Sequence, residues 1–329
     1  MTVTSSDIST RTQVYADRRF LERAKPNNVL AMFGEVRPIP QNKTDTISIR
    51  RYEKLAAATT PITEGVTPTG SSPTYTDYSA KLDQYGDYIR YSDRIMDTHE
   101  DPLLNEFTDL LAEQAPETYD LIYAGVLKAG TNIFYSGTAT ARSEVVDPIS
   151  NMMLDRIDRA LSAQEAKPIK KIVEAGPNIS TKPVGASFVV VMHSDFKMDV
   201  KKMEGWTPIE QYASTKGLIP GEIGAVDNFR FVIDNNLTAY QDAGGAAGTM
   251  ISTTGTSADV YPFLVFGQRA YATVPLGGKG SVQVLVANPK ANAATDPLAQ
   301  KGSIGWKGYT TAVITNDLWM AVGEVAVTD

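Results

Sequence analysis

Cysteine is absent from the 329 residues, and histidine occurs only twice, at His99 and His193. The lack of cysteine excludes disulfides, thiolate metal sites and cysteine nucleophiles. No apolar run approaches the roughly 20 residues that cross a bilayer. The polar segment 1–11 also lacks the apolar stretch of a secretory signal peptide. We therefore expect a soluble protein with no membrane partner.

Basic residues are also in deficit. The chain has 31 Lys and Arg against 38 Asp and Glu, so its formal net charge is -7. Proteins that bind DNA tightly collect basic side chains, because neutralising phosphates releases counterions. The charge balance excludes a protein whose main task is to grip nucleic acid, and it allows non-specific contact at most.

The common catalytic motifs are missing as well. The sequence contains neither G-x-G-x-x-G, nor a P-loop, nor a G-x-S-x-G nucleophile elbow. His99 precedes two acidic residues, which is more typical of a helix start than of a metal site. His193 is followed by a serine and an aspartate, but the members of a hydrolase triad usually come from separate loops. We predict no catalytic residue, no metal site and no cofactor.

The first part of the chain indicates an arm followed by a long hairpin. Residues 1–41 begin polar and carry few apolar side chains, which is typical of an arm. Residues 46–55 and 78–95 predict two strands, joined by a loop at 56–75 that is rich in Thr, Pro and Gly. A two-stranded hairpin is only marginally stable by itself. It must therefore lie either on the body of its own chain or on a neighbouring copy.

Two helices are predicted next. Residues 101–128 carry apolar side chains at three- and four-residue spacing, with Asp101 as N-cap and Gly130 as C-cap. Pro116 lies inside this segment, and we expect it to bend or split the helix. A second helix is predicted to open at Asp147 as its N-cap.

The remainder predicts short strands around one exposed insertion, which makes the class mixed α+β. The run 188–192 is continuously apolar, as in a strand buried on both faces, and Ser194 or Asp195 is predicted to cap a short helix after it. Residues 239–258 are rich in Gly, Ala and Thr, and we expect them to form an exposed insertion. Further strands are predicted at 229–233, 261–266, 281–287, 309–314 and 322–327.

The order of these parts resembles the Hong Kong 97-type fold of tailed-phage major capsid proteins. Several segments are similar to a podovirus-like coat protein family, in the same order over nearly the whole chain. The similar segments are residues 15–26 (YADRRFLERAKP), 58–68 (ATTPITEGVTP), 84–87 (QYGD), 191–195 (VMHSD), 221–224 (GEIG), 229–231 (FRF), 296–298 (DPL), 305–307 (GWK) and 316–320 (NDLWM).

The resemblance implies a division of the chain into the parts of a capsid subunit. These parts are an N-terminal arm (1–41), an extended hairpin loop (42–95), a peripheral domain with a spine helix (96–187), an axial domain (188–276) that contains the insertion 239–258, and a return to the peripheral domain (277–329).

The resemblance also implies a function. Copies would form pentamers and hexamers that close into the icosahedral head of a tailed double-stranded DNA phage, assembled in the host cytoplasm and found in the virion. The partners would be a separate scaffolding protein, a portal, a decoration protein at the insertion, and packaged DNA contacted non-specifically. An encapsulin-type nanocompartment shell and an enzyme with an unrecognised site stay open as alternatives. We predict subunit contacts at Arg51, Tyr52, Glu64, Tyr85, Tyr88, Trp206 and Trp306.

Overall fold

The computed structural model describes residues 28–62, 64–65, 67, 69–98, 103–169, 186–211, 221–277, 282–287, 289, 298 and 300–329. Within them, helices and strands are mixed along the chain, as predicted. The α-helices are α1 (Asp93–Thr98), α2 (Leu103–Leu127), α3 (Asn151–Ala163) and α4 (Lys197–Lys201). Short 3-10 turns occur at Leu30–Met32, Arg142–Glu144, Ser194–Phe196, Ile209–Gln211 and Asp317–Trp319.

The strands form two larger sheets and one separate hairpin. They are β1 (Glu35–Val36), β2 (Thr46–Tyr52), β3 (Tyr75–Lys81), β4 (Asp83–Ser92), β5 (Ile133–Tyr135), β6 (Phe188–Met192), β7 (Thr207–Pro208), β8 (Glu222–Val226), β9 (Phe229–Ile233), β10 (Tyr261–Phe266), β11 (Tyr271–Pro275), β12 (Val282–Ala287), β13 (Lys301–Ile314) and β14 (Met320–Val325).

The larger sheet has the strand order β5-β14-β10-β6-β9-β8-β7 and is covered on both faces. Along β6, Val189 and Val191 join the apolar cluster around α2, whereas Val190 and Met192 join the cluster around α3. Successive side chains of a strand point to opposite faces, so a strand between two helical layers must be apolar throughout. This confirms the prediction of a doubly buried strand at 188–192.

The second sheet is built around the long strand β13. Strands β4 and β12 both pair with β13, and β11 pairs with its end at residues 310–314. Helix α2 packs against β13, and the cluster between them contains Tyr119, Ile304 and Trp306. Only part of β13, residues 309–314, was predicted from the sequence, because glycines interrupt the apolar pattern before that point.

Helix α2 runs unbroken from Leu103 to Leu127 through Pro116, so of the two predicted effects of this proline, a bend or a split, the split does not occur. Proline removes one backbone hydrogen bond, but Ala112 and Ala115 beside it are fully buried. Packing of an apolar face supplies most of the stability of a helix in a protein, and here it outweighs the local loss. The predicted N-cap, Asp101, and His99 lie outside the described residues.

Two predicted caps are corrected by the structure. Helix α3 begins after Ser150, whose hydroxyl accepts a hydrogen bond from the backbone N–H of Met153, and not at Asp147. The turn at Ser194–Phe196 is capped by His193, whose Nδ1 accepts from the backbone N–H of Asp195 at 3.3 Å, and not by either residue that follows it. In both places several polar residues stand together, and the backbone angle decides which of them caps.

The predicted returning strand of the hairpin is two strands. Strand β3 pairs with β2 from Thr46↔Lys81 to Tyr52↔Tyr75, but β4 leaves the hairpin and pairs with β13. The change takes place at Leu82, which is buried with Ile39 and Val274. The hairpin therefore consists of β2 and β3 alone, and β4 belongs to the second sheet.

The insertion 239–258 lies at the surface, as predicted, and it is ordered. Asp259 fixes it from within, since its carboxylate accepts hydrogen bonds from the backbone of Asp242 at 2.7 Å and from the hydroxyl of Thr253 at 2.8 Å. Ala258 is buried in a small apolar cluster with Val145. The insertion is thus an ordered surface layer on the larger sheet.

Candidate subunit interface

The far end of the β2–β3 ladder, next to the tip, is anchored to its own chain. The guanidinium of Arg51 donates to the carbonyl oxygen of Thr315 at 3.4 Å, and Lys54 forms an ion pair with Glu165. Within the hairpin, the guanidinium of Arg50 donates to both oxygens of Asp77, at 2.8 and 2.9 Å. These hydrogen bonds hold the pKa of the Asp77 carboxyl below its ordinary value. The anchored far end fixes the direction in which the tip extends.

The tip of the hairpin is exposed on all sides. Every described residue between 52 and 75 is exposed, although several are large and apolar. A large exposed apolar surface commonly marks an interaction site. The exposed fractions are 64% for Tyr52, 52% for Leu55, 76% for Ile62 and 53% for Tyr75.

A groove of about 630 Å³ lies across the face of the second sheet, on strands β4, β13 and β12. Tyr88 and Leu285, both about half exposed, line it, and they face one another across Gly305 through the strand register. The floor of the groove is formed by the backbone at Gly86 and Gly305. A Cβ at Gly305 would come within 2.7 Å of a backbone oxygen of β4. The groove is therefore floored by glycine and lined by both apolar residues, such as Leu285, and polar ones, such as Lys307.

The opposite face of the same strands is joined to helix α2. The amide of Gln114 donates to Asp87 at 2.8 Å and accepts from the indole N–H of Trp306 at 3.0 Å. The hydrogen bond from Gln114 lowers the pKa of the Asp87 carboxyl. Strand β4 thus holds one face to its own chain and presents the other to solvent.

The structure separates the predicted contact residues into three groups. Arg51, Tyr52 and Glu64 lie on the hairpin, where Tyr52 and Glu64 are exposed and Arg51 is partly used in anchoring the far end of the ladder. On β4, Tyr88 lines the groove, whereas Tyr85 also packs against the cluster of α2.

The two tryptophans are largely used inside the subunit. Trp206 packs against the cluster of α3 and lies over Gly224. Trp306 is only 3% exposed, so a neighbouring subunit has almost none of its surface to contact. We leave Trp306 out of the interface proposed below.

Three apolar residues of the candidate interface were not predicted. Leu55 and Ile62 carried a signal, because they are large apolar residues inside a polar loop. Leu285 carried none, since its exposure depends on β12 lying at the side of β13.

The described residues contain neither a group of side chains suited to a metal ion nor a helix suited to crossing a membrane. Among them, no three His, Cys, Asp or Glu side chains are grouped so that they could hold a metal ion. Nor is any helix in the described ranges both long enough and apolar enough to cross a membrane. An exposed hairpin tip and a glycine-floored groove remain the most prominent surface features.

Comparison with known proteins agrees with these features. The family described as "Phage capsid protein" matches residues 75–323. The chain belongs to this phage capsid family. Its match to the major capsid protein of Pseudomonas phage KPP21 is 26% identical over 261 residues, covering 74% of this chain and 66% of that protein. The capsid chain thus spans just under two thirds of that relative.

Comparison with solved structures identifies the fold of the chain. The capsid of Ralstonia phage GP4 matches with a TM-score of 0.69 at 11% identity, covering 93% of each chain. The holo-SrpI encapsulin complex from Synechococcus elongatus PCC 7942 matches with a TM-score of 0.55 at 11% identity, covering 91% of this capsid chain and 88% of that one. The fold is therefore the Hong Kong 97-type fold that the resemblance implied.

Proposed function

We propose that this capsid chain is the shell subunit of a tailed-phage head and that it assembles with copies of itself around packaged DNA. The observation that carries the proposal is the ordered hairpin whose tip, from Tyr52 to Tyr75, is exposed in the single chain although it carries large apolar residues. Membership of the phage capsid family supports the same function. Closed shells of one protein use contacts that repeat around symmetry axes, and such an extension can supply them.

The hairpin tip finds a complementary surface in the groove of a second copy. Both surfaces are apolar at their centres, with Ile62 on the tip and Leu285 in the groove. Charged groups surround both centres: Glu53 and Glu64 lie on the tip side, and Asp87 and Lys307 line the groove. Apolar centres with polar rims are usual in protein interfaces. A contact of this kind buries surfaces that the subunit leaves open.

Removal of the tip tests whether it serves assembly. Deleting residues 56–73 and closing the hairpin with a short glycine-containing turn keeps the register from Thr46↔Lys81 to Tyr52↔Tyr75. We expect a soluble subunit with unchanged circular dichroism that no longer forms shells in negative-stain electron microscopy. The tip touches little of its own chain, so the fold should persist. Normal shells from the deleted chain would contradict the proposal.

The encapsulin neighbour defines the second candidate function. The folds are alike at a TM-score of 0.55, and fold alone does not decide what a shell encloses. The phage family match favours a DNA-filled head. Particles purified from infected cells should therefore contain DNA, and particles filled with a protein cargo and free of DNA would favour the nanocompartment.

The remaining parts of the proposal concern domains and partners. We assign the sheet of β13 and helix α2 to the peripheral domain and much of the larger sheet to the axial domain. A separate scaffolding protein and a portal would act during assembly in the host cytoplasm. The insertion 239–258 offers an ordered outer layer on which a decoration protein could bind. The formal net charge of -7 fits DNA that is enclosed and contacted only non-specifically.

A further inference from the structure

Two buried carboxylates meet where three parts of the chain join. Asp120 of helix α2 is fully buried, and Asp234, just after β9, is nearly so. Asn236 links them, since its backbone N–H donates to Asp234 at 2.9 Å and its side-chain amide donates to Asp120 at 3.5 Å. Carboxylates buried together cannot both ionise without a large electrostatic cost, so they titrate as a pair.

Asp120 also holds the start of the described chain. Its two oxygens accept the backbone N–H groups of Val29 and Leu30, at 2.9 and 3.1 Å. The hydroxyl of Tyr271 donates to the carbonyl oxygen of Leu30. The side chain of Leu30 is fully buried in the cluster around α2. One carboxylate therefore fastens the exit of the N-terminal arm to the long helix.

Asp234 supplies a second observation that points to a bound proton. Its Oδ2 atom is buried and has no hydrogen-bond partner among the residues that the structure describes. A buried carboxylate oxygen without a donor is costly when charged. A pocket of about 370 Å³, lined by Val29, Glu113, Glu117 and Asp234, adjoins the pair. Asp234 is the member of the pair that lines this pocket.

We propose that the Asp120–Asp234 pair is a proton-linked fastener, which holds the arm exit on helix α2 while the pair keeps a proton and loosens it when that proton is lost. The proposal concerns the single chain and does not depend on assembly. It can therefore fail or succeed separately from the function proposed above.

The charged and titratable groups around the pair come from several elements. Glu113, Glu117 and Tyr123 share helix α2 with Asp120, and Tyr271 faces it from β11. His193 and Lys128 face Asp234, and both favour its charged form. Burial nevertheless raises the pKa of Asp234. These two groups therefore moderate the effect of burial on the pKa of Asp234 and do not remove it.

The direction of the pH effect follows from the pKa of Asp120. Burial first, and the charge of Asp234 second, raise the pKa of this carboxyl to about 7 in the fastened state. When the arm exit leaves, water reaches Asp120 and its pKa returns toward the ordinary value of about 3.9. Release is therefore coupled to loss of a proton. It becomes easier as the pH rises between these two values, and it levels off above about 7.

Hydrogen exchange of the purified full-length chain measures this release. In peptides that cover residues 28–33, with exchange times corrected for intrinsic rates, the opening constant should rise on the order of tenfold between about pH 5.5 and about pH 8. Asp120→Asn should abolish the rise, because the substituted amide does not titrate. Glu106→Gln, at an exposed position on the same helix, is the matched control and should keep the wild-type response.

Two outcomes overturn the proposal. The first is a wild-type opening constant that does not change with pH, and the second is a pH response that Asp120→Asn leaves intact. If circular dichroism shows that Asp120→Asn does not fold, Asp234→Asn decides instead. Removing the second charge must reduce the pH response, and an unchanged response would overturn the proposal equally.

Discussion

Glu324 lies in strand β14 with its side chain fully buried, and it is stabilised by one residue of a distant turn. The guanidinium of Arg142 donates to both of its carboxylate oxygens, at 2.8 and 2.5 Å. Arg142 also lies 3.7 Å from the ring centre of Tyr240, which connects the insertion to the same ion pair. An arginine that donates one hydrogen bond to each oxygen is the arrangement that best satisfies a buried carboxylate.

Replacing Arg142 by alanine should destabilise the subunit. The change leaves a buried carboxylate without its cation, and breaking a buried pair in this way costs about 3 kcal/mol or more. Urea unfolding followed by circular dichroism measures the free energy of unfolding. Arg159→Ala, at an exposed position of α3, is the control and should change it by less than about 0.5 kcal/mol. Equal stability of the two variants would contradict the role given to Arg142.

At the scale of elements, two glycines show how one substitution can act in opposite directions. Gly323 lies in β14, where a Cβ would come within 2.1 Å of the ring of Phe263. Gly125 lies in α2, where a Cβ would meet nothing within 4 Å. Strand β14 therefore needs its glycine for packing, and the helix does not.

Alanine at these two positions should separate the effects. Gly323→Ala should lower the free energy of unfolding by about 2–3 kcal/mol through overpacking of the core. Gly125→Ala should raise it by about 0.5–1 kcal/mol, because alanine favours the helix. Thermal and urea unfolding of both variants would check the signs. A stable Gly323→Ala variant would mean that the Phe263 ring can move aside.

Elements were predictable where one local pattern decides them. The stripe of apolar residues in α2 and the uniform run of β6 are set by which faces are buried, and both were predicted. The break at Leu82 was not predicted, because residues 83–92 alternate in the same way whether they pair with β2 or with β13. The partner strand lies more than 200 residues away, and no local pattern encodes that distance.

The candidate interface was predictable only in part, for the same reason. The exposed tip was visible as the polar loop 56–75, and Tyr52 just before it was predicted as a contact residue. A tryptophan is a frequent interface anchor. Trp306, however, is covered by residues of helix α2 that are far away from it in sequence. Local patterns indicate which residues are apolar, whereas long-range pairing decides which of them are covered.

At the scale of the whole molecule, assembly depends on surfaces that a single subunit leaves open. The apolar tip around Ile62 and the groove around Leu285 lie on different parts of the same chain. A contact between two different surfaces can repeat from copy to copy until a symmetric ring closes. Each subunit would then both give and receive one hairpin.

Substitutions that introduce opposite charges at the two surfaces test whether subunits exchange hairpins in this way. Ile62→Asp alone and Leu285→Lys alone should each prevent shell formation, because each buries an unpaired charge at the contact. Both changes in one chain should restore shells in part, since each hairpin then meets a lysine on its neighbour. Electron microscopy and sedimentation give the readout.

Thr59→Asp, at an exposed position on the same loop, is the control and should assemble as the wild type does. Shell formation that persists in both single variants would place the contact elsewhere on the subunit.

The hairpin also has little freedom where it leaves the body. Strand β3 passes into β4 through Leu82, whose side chain is buried and whose N–H donates to the carbonyl of Asp45 at 2.7 Å. This connection is rigid, so a movement of the hairpin is transmitted to the edge of the second sheet. A neighbouring copy that tilts the tip must also twist β4 and β13. A distortion at one contact in the shell would in this way be transmitted to the sheet in the middle of the adjoining subunit.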